Sequence, residues 1–343
     1  MTSVSENRQE NAAKKEAKKE SEKKALLEVK DLSVSFDVYG KSSHVLDGIS
    51  FRVGEGERVG LVGESGCGKT TMLKTILRVL PRNAIVNGGR ILFEGRDVFE
   101  MPDTDLNAMR RRGAGMIFQD PSSALNPVFS VESQFLTALQ YANPKSTPKK
   151  KLYALAIEAL NNVMLPDPKR IMKSFPYQLS GGMKQRVCIA ITIAAGRRLM
   201  LADEPGTSLD VTIQDQILRL INGLTEDKGL SVIMVSHSLG VIRESTSYVN
   251  IMYAGTVVES GATEDVFKNP RHPYTVALMA CVPKLTGDSL AEGIPGRIPD
   301  YTQPPKGCRF APRCPHVEEV CRAQKPPHRE ISLGHRTSCH FAK

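Results

Sequence analysis

The sequence predicts an α/β protein built on a phosphate-binding loop, and three observations carry that prediction. The first is Gly63-Glu64-Ser65-Gly66-Cys67-Gly68-Lys69-Thr70, which fits the pattern G-x-x-x-x-G-K-[ST]. The apolar segment Arg58–Val62 precedes it as a strand, and Thr71 to Leu77 opens a helix. The second is the apolar run from Arg198 to Ala202, which ends in the paired carboxylates Asp203 and Glu204. The third is a succession of short apolar strands on either side of the loop, interrupted by one long helical stretch.

The loop dictates its own chemistry. Its glycines let the backbone curl so that successive N–H groups face an anion, and the following helix adds its partial positive charge. Gly63, Glu64, Ser65, Gly66, Cys67, Gly68, Lys69, Thr70 and Thr71 are therefore the expected nucleotide-binding residues. Lys69 should reach the β- and γ-phosphates, and Thr70 should offer its hydroxyl to Mg²⁺. Asp203 is the expected second holder of Mg²⁺, and Glu204 the residue that polarises the attacking water.

Composition narrows the class. The chain has 343 residues, enough for one large domain with a smaller companion, and 41% of them are hydrophobic and 24% charged. The formal charge of +9 is spread along the chain without aromatic interleaving or a nucleic-acid motif, which argues for solubility rather than nucleic-acid binding. The longest apolar run, Val187 to Gly196, is too short to span a membrane and is fenced by Arg186 and Arg197. The N-terminus carries charges without an apolar stretch, so a cytosolic chain is expected, with any membrane role supplied by a partner.

In chain order, residues 1–24 repeat Lys-Lys-Glu units without apolar periodicity and read as a solvated, disordered tail. Leu26 to Val38 alternates as a half-buried strand, and His44 to Leu46 and Ile49 to Val53 continue the antiparallel theme. Phe36 is a candidate for stacking on an adenine ring, with Tyr39 the alternative and a core position an equal reading. Gly88 to Gly95 and Met116 to Phe118 are further strands, the second ending in Gln119, a polar side chain placed to meet Mg²⁺ or the attacking water. Residues 122–185 read as a helical insertion, closed by Leu179-Ser180-Gly181-Gly182-Met183, where Ser180 marks a helix start. Ser208-Leu209-Asp210 follows the carboxylates at once, and Leu230 to Val235 is a buried strand ending near His237, a candidate γ-phosphate contact.

This order of motifs resembles the ATP-binding cassette ATPases over residues 25 to about 265. The resemblance implies a RecA-like phosphate-loop core with an antiparallel β subdomain and a helical subdomain. It also implies that Leu179 to Met183 completes the ATP site of a second subunit. Two departures stand out: Met183 where a Gln is usual, and Gly206 where Asp-Glu-Pro is usually followed by Thr. FQDPSSALNP from Phe118, NPRHPYT from Asn269 and GCRFAPRCP from Gly307 further resemble the ATPase subunits of oligopeptide/dipeptide importers. That likeness implies catalytic roles for Glu204, His237 and Gln119, and a cassette over residues 25–268 followed by an extension over 269–343. It implies a second, different ATPase chain, two membrane permeases and a solute-binding protein as partners, at the cytoplasmic face of the membrane. Relatives carry peptides, nickel or oligosaccharides. A soluble cassette ATPase of translation or DNA repair is the rival, disfavoured because the chain has one cassette and no heptads.

Cys308, Cys314, Cys321 and Cys339, four of the seven cysteines, crowd the end of the chain with spacing C-x5-C-x6-C-x17-C. In a Pro-rich segment that buries little core, a metal staple is the physical remedy. The set suits zinc or an iron–sulfur cluster, although the spacings are looser than the tight pairs of structural zinc. Some members of the resembled family carry a [4Fe–4S] cluster here, so a cluster, no metal and zinc are the three expectations, in that order.

Overall fold

The structure is a computed structural model that describes residues 25–207, 209–281 and 293–342. The charged tail at 1–24 and Ser208 lie outside the described residues. Two sheets form the frame. β1 (Ala25–Val38), β2 (Lys41–Gly54), β4 (Ala84–Phe93) and β5 (Arg96–Asp97) make an antiparallel sheet in the order β2-β1-β4-β5. The two segments expected at 44–46 and 49–53 are one strand, β2, because a bulge opposite Leu32 carries the pairing across Gly48.

The second sheet has eight strands in the order β11-β12-β10-β9-β3-β8-β7-β6. Its centre is parallel: β9 (Tyr248–Tyr253), β3 (Arg58–Val62), β8 (Ser231–Ser236), β7 (Leu199–Asp203) and β6 (Ala114–Ile117). These strands read as continuous apolar runs because both of their faces are covered. In β7, Leu199 and Leu201 face the core shared with the antiparallel sheet, while Met200 and Ala202 face the core shared with the helices. β3 alternates in the same way, with Val59 and Leu61 on one side and Val62 on the other. The central sheet thus separates two cores, and its carboxyl ends converge where the phosphate loop leaves β3.

The helices follow the expected insertion. α1 (Lys69–Ile76) continues the loop; α2 (Val131–Ala142), α3 (Lys149–Asn162) and α4 (Gly181–Ala194) build the helical portion, with short turns at Pro121–Ala124 and Pro168–Lys173 between them. α4 runs nine residues past 185 and returns the chain to β7. α5 (Val211–Lys228) and α6 (Leu239–Ser245) pack on the central sheet, and α7 (Pro273–Ala280) lies against β10.

The end of the chain does not form a separate lobe. β12 (His335–Thr337) pairs antiparallel with β10 (Thr256–Ala262), and β11 (Arg329–Ser332) pairs with β12, so the C-terminal segment lengthens the central sheet. Glu259 on β10 fastens this joint. Fully buried, its carboxylate accepts from the backbone N–H groups of Arg271 at 2.8 Å and His272 at 2.9 Å, and from the His335 ring at 2.7 Å. Burial pushes its pKa up, but these hydrogen bonds outweigh that and hold it below the ordinary carboxylate range.

Candidate nucleotide site

The phosphate loop is curled as its glycines require. Gly66 and Gly68 have φ of 81° and 103°, values that L side chains rarely adopt, and Gly68 turns the chain into α1. The buried Lys69 folds back over the loop, its ammonium donating to the carbonyls of Gly63 at 2.7 Å and Glu64 at 2.9 Å. These two carbonyls stand in for anionic partners and hold the charge over the centre of the loop. The buried Cys67 thiol lies 3.7 Å from the same ammonium, and burial raises its pKa despite the cation.

Thr70 and Asp203 meet directly, the hydroxyl donating to Oδ2 at 2.8 Å. Burial pushes the Asp203 carboxyl up, with Thr70 only partly opposing it. This oxygen pair at the mouth of the loop has the chemistry of a Mg²⁺ holder, since hard cations take hydroxyl and carboxylate oxygens. Glu204 is the next residue, with φ of 47° in the left-handed region. That turn sends its carboxylate toward the cleft, where Oε2 accepts from Gln119 Nε2 at 3.1 Å and from His237 Nδ1 at 3.0 Å. The ends of β6, β7 and β8 therefore deliver Gln119, Glu204 and His237 to one point.

These residues line a cleft of about 540 Å³ with Ser65, Gly66, Gly68, Lys69, Thr70 and Thr71. Val45 and Thr207 line it too, and sequence reasoning missed both; Thr207 could have been found from its place just after the carboxylates. Neither aromatic candidate lines it. Phe36 is partly buried against the core between the sheets, and Tyr39 is fully exposed at the β1–β2 turn with φ of 52°.

The segment Leu179 to Met183 also stands apart from this cleft. Ser180 caps α4, accepting from the N–H of Met183 at 3.3 Å, and Ser180 and Gly181 are exposed while Leu179 is buried beneath them. Leu209 lies against Gly181, and Asp210 caps α5 through the N–H of Ile213 at 3.0 Å. Gln185 ties α4 to the loop after Glu204, donating to the Pro205 carbonyl at 2.9 Å. A side chain at Gly206 would meet Gln214 on α5, its Cβ falling 2.8 Å from Cγ, which accounts for glycine there instead of threonine.

The four C-terminal cysteines come together. Cys308, Cys314, Cys321 and Cys339 line one cavity of about 230 Å³, beside His272, Phe310 and His316. Burial raises two of these thiols, Cys308 to about 11 and Cys314 in the same direction. Among the described residues no group of three or more His, Cys, Asp or Glu side chains converges to hold a metal ion.

Known proteins agree with this geometry. Residues 46–207 match the ABC transporter family, and residues 258–321 match the C-terminal region of oligopeptide/dipeptide transporters. The probable peptide ABC transporter ATP-binding protein y4tR of Sinorhizobium fredii is 42% identical over 92% of this chain and 94% of that protein. The oligopeptide transport ATP-binding protein OppD of Bacillus subtilis is 41% identical over 90% and 87%, and the dipeptide transport ATP-binding protein DppD of the same organism 40% over 92% and 94%. The dimeric ATP-binding cassette MJ0796, solved in a post-hydrolysis state with ADP and Pi, superposes with a TM-score of 0.62 at 26% identity, covering 69% of this chain and 98% of that one. The chain belongs to the ATP-binding cassette ATPases of the oligopeptide/dipeptide transporter type.

Proposed function

We propose that this chain is the MgATP-driven motor of a peptide importer, working at the cytoplasmic face of a membrane through two permease subunits. The observation that carries the reading is a division within the chain. Glu204, Gln119 and His237 are gathered at the cleft, while the exposed Ser180–Gly181 turn lies elsewhere on the surface. One chain then offers the phosphate loop and catalytic carboxylate of one site, and the capping turn of another. The names of its relatives, peptide, oligopeptide and dipeptide transport proteins, favour peptides as cargo. A second ATPase chain, in keeping with the dimeric cassette to which this chain is similar, and a solute-binding protein complete the assembly in this reading. No described helix is long and apolar enough to cross a membrane, so membrane attachment runs through partners in this reading.

In this mechanism Lys69 exchanges the carbonyls of Gly63 and Glu64 for the phosphates of ATP. The loop N–H groups and the start of α1 then hold those phosphates. Thr70 and Asp203 would hold Mg²⁺, which when bound offsets the charge on the β- and γ-phosphates. Glu204 takes up the proton of the attacking water, and His237, already bonded to that carboxylate, orients it toward the γ-phosphate. Gln119 links the same carboxylate to the start of the helical portion, through the turn at Pro121, so the chemical state of the cleft is felt there. Closure against the partner chain brings its capping turn onto the phosphates, and hydrolysis reopens the pair.

The half-site division is tested with Ser180→Arg. The isolated chain should bind ATP as before, while the assembled complex loses hydrolysis. An affinity loss in the isolated chain equal to that of Lys69→Ala would mean that the turn acts on its own cleft, and the division would fail.

We further propose that Cys308, Cys314, Cys321 and Cys339, which line one cavity, would hold a [4Fe–4S] cluster as thiolates. Anaerobic purification should give a broad absorbance near 400 nm and roughly four iron atoms per chain. A colourless, iron-free preparation would remove the cluster, and one zinc per chain in its place would restore the mononuclear alternative.

A further inference from the structure

Glu64 is held on three sides, and two of the holds come from the last quarter of the chain. Its backbone N–H donates to the Tyr274 hydroxyl at 3.0 Å. Its carboxylate accepts from Nη1 of Arg313 at 2.9 and 3.1 Å. Its carbonyl faces Lys69. Two residues on, the carbonyl of Gly66 accepts from the Tyr301 hydroxyl at 2.8 Å. Arg313 is a built anchor: its side chain is only 4% exposed, and its remaining donors go to the carbonyls of Pro295 and Ile294 at 2.8 Å each. A fourth route runs through Arg309, which donates to the Ala254 carbonyl, while the next residue, Gly255, donates its N–H to the Cys67 carbonyl at 3.0 Å.

We propose that Arg313, Tyr301 and Tyr274 are positioning residues for ATP binding: the C-terminal segment clamps the outer side of the phosphate loop in the curl that receives the phosphates. The physical reason lies in the loop itself. A loop whose N–H groups all face one anion is self-repelling when empty, and its glycines give it many other conformations. Fixing it in advance removes an ordering cost that ATP would otherwise meet on binding. Phosphate loops are held internally by their strand and helix; here a segment some 210 to 249 residues further on adds an external brace. The brace shares its backbone with the cysteine cavity, since Cys308 to Cys314 carries Arg309 and Arg313 between two of the thiols.

This inference rests on the ATP-site reading, and the experiment separates the two. Arg313→Met, Tyr301→Phe, Glu64→Ala and the double variant Glu64→Ala/Arg313→Met are compared with the parent full chain by fluorescent ATP-analogue titration, and in the assembled transporter by KM and kcat. Lys69→Ala serves as the control for the site. Arg313→Met should weaken nucleotide binding and raise KM roughly tenfold, the scale of a charge-assisted hydrogen bond, with kcat at saturating ATP little changed. Tyr301→Phe, which removes one hydroxyl and spares the fold, should raise KM roughly threefold. Because Arg313 and Glu64 act as one unit, the double variant should be no worse than the worse single one. Parent KM in both Tyr301→Phe and Arg313→Met, or effects of Arg313→Met and Glu64→Ala that multiply in the double variant, would overturn the clamp. If Lys69→Ala binds nucleotide as the parent does, the ATP-site reading fails first and the clamp with it.

Discussion

The Glu64 carboxylate in the phosphate loop accepts both its Arg313 hydrogen bonds, at 2.9 and 3.1 Å, from a residue 249 positions further along the chain. Glu64 occupies one of the four variable positions of the phosphate-loop pattern, where the pattern itself asks for nothing. Its side chain is therefore free to take a structural partner, and the C-terminal segment supplies one.

Asp203 sits where an anion is costly. Burial holds its carboxyl above the ordinary range, so the folded chain keeps that proton to higher pH than the unfolded chain does, and ionisation at neutral pH costs stability. Asp203→Asn, whose amide oxygen still accepts from Thr70, should raise the melting temperature of the nucleotide-free chain. The same variant should lose Mg²⁺-dependent hydrolysis. Calorimetry and an ATPase assay check the two halves, and a lowered melting temperature would contradict the burial argument.

Glu259 presents the opposite case. It is a buried carboxylate with three donors, two of them the backbone N–H groups at Arg271 and His272. Glu259→Ala should destabilise the chain by about 3 kcal/mol, because it strands those donors in the core. Denaturant titration measures the loss, and faster amide exchange at residues 335–337 should accompany it, since β12 is fastened there.

Acid should loosen the same joint. His272 accepts the Tyr274 N–H through Nδ1, and burial lowers its pKa to about 4 from an ordinary 6.5; His328 is lowered to about 4 for the same reason. Both are more readily protonated in the unfolded chain. The stability they contribute as neutral rings is therefore complete above about pH 6.5 and drains away as pH falls toward 4. Denaturation midpoints taken across that window should fall, and less steeply in His328→Gln than in the parent. Equal slopes would show that His328 does not titrate with unfolding.

Much of the fold was legible in the sequence, for a physical reason. A strand buried on both faces must be a continuous apolar run, and a phosphate loop must carry its glycines in fixed places, so β3, β7 and β8 and the loop announce themselves. Asp203, Glu204 and His237 were readable as polar residues at the ends of such runs. The left-handed turn at Glu204 was not, because no glycine or asparagine marks it. Arg313 and Tyr301 gave no local signal, as their partners lie more than 200 residues away and an Arg between two cysteines looks like any solvated charge. Phe36 failed as a cleft residue because an aromatic on an alternating strand serves the core equally well. β11 and β12 are too short and too polar for periodicity to reveal them.

In the proposed mechanism Glu204 carries the hydrolysis. The measurement that bears on it most directly is the ATPase rate of Glu204→Gln in the assembled complex, taken beside the ATP affinity of the same variant. The amide keeps the size of the side chain but cannot take up a proton. Hydrolysis should fall by a factor on the order of 100 or more while affinity stays at the parent value. A variant that hydrolyses ATP at the parent rate would contradict the account.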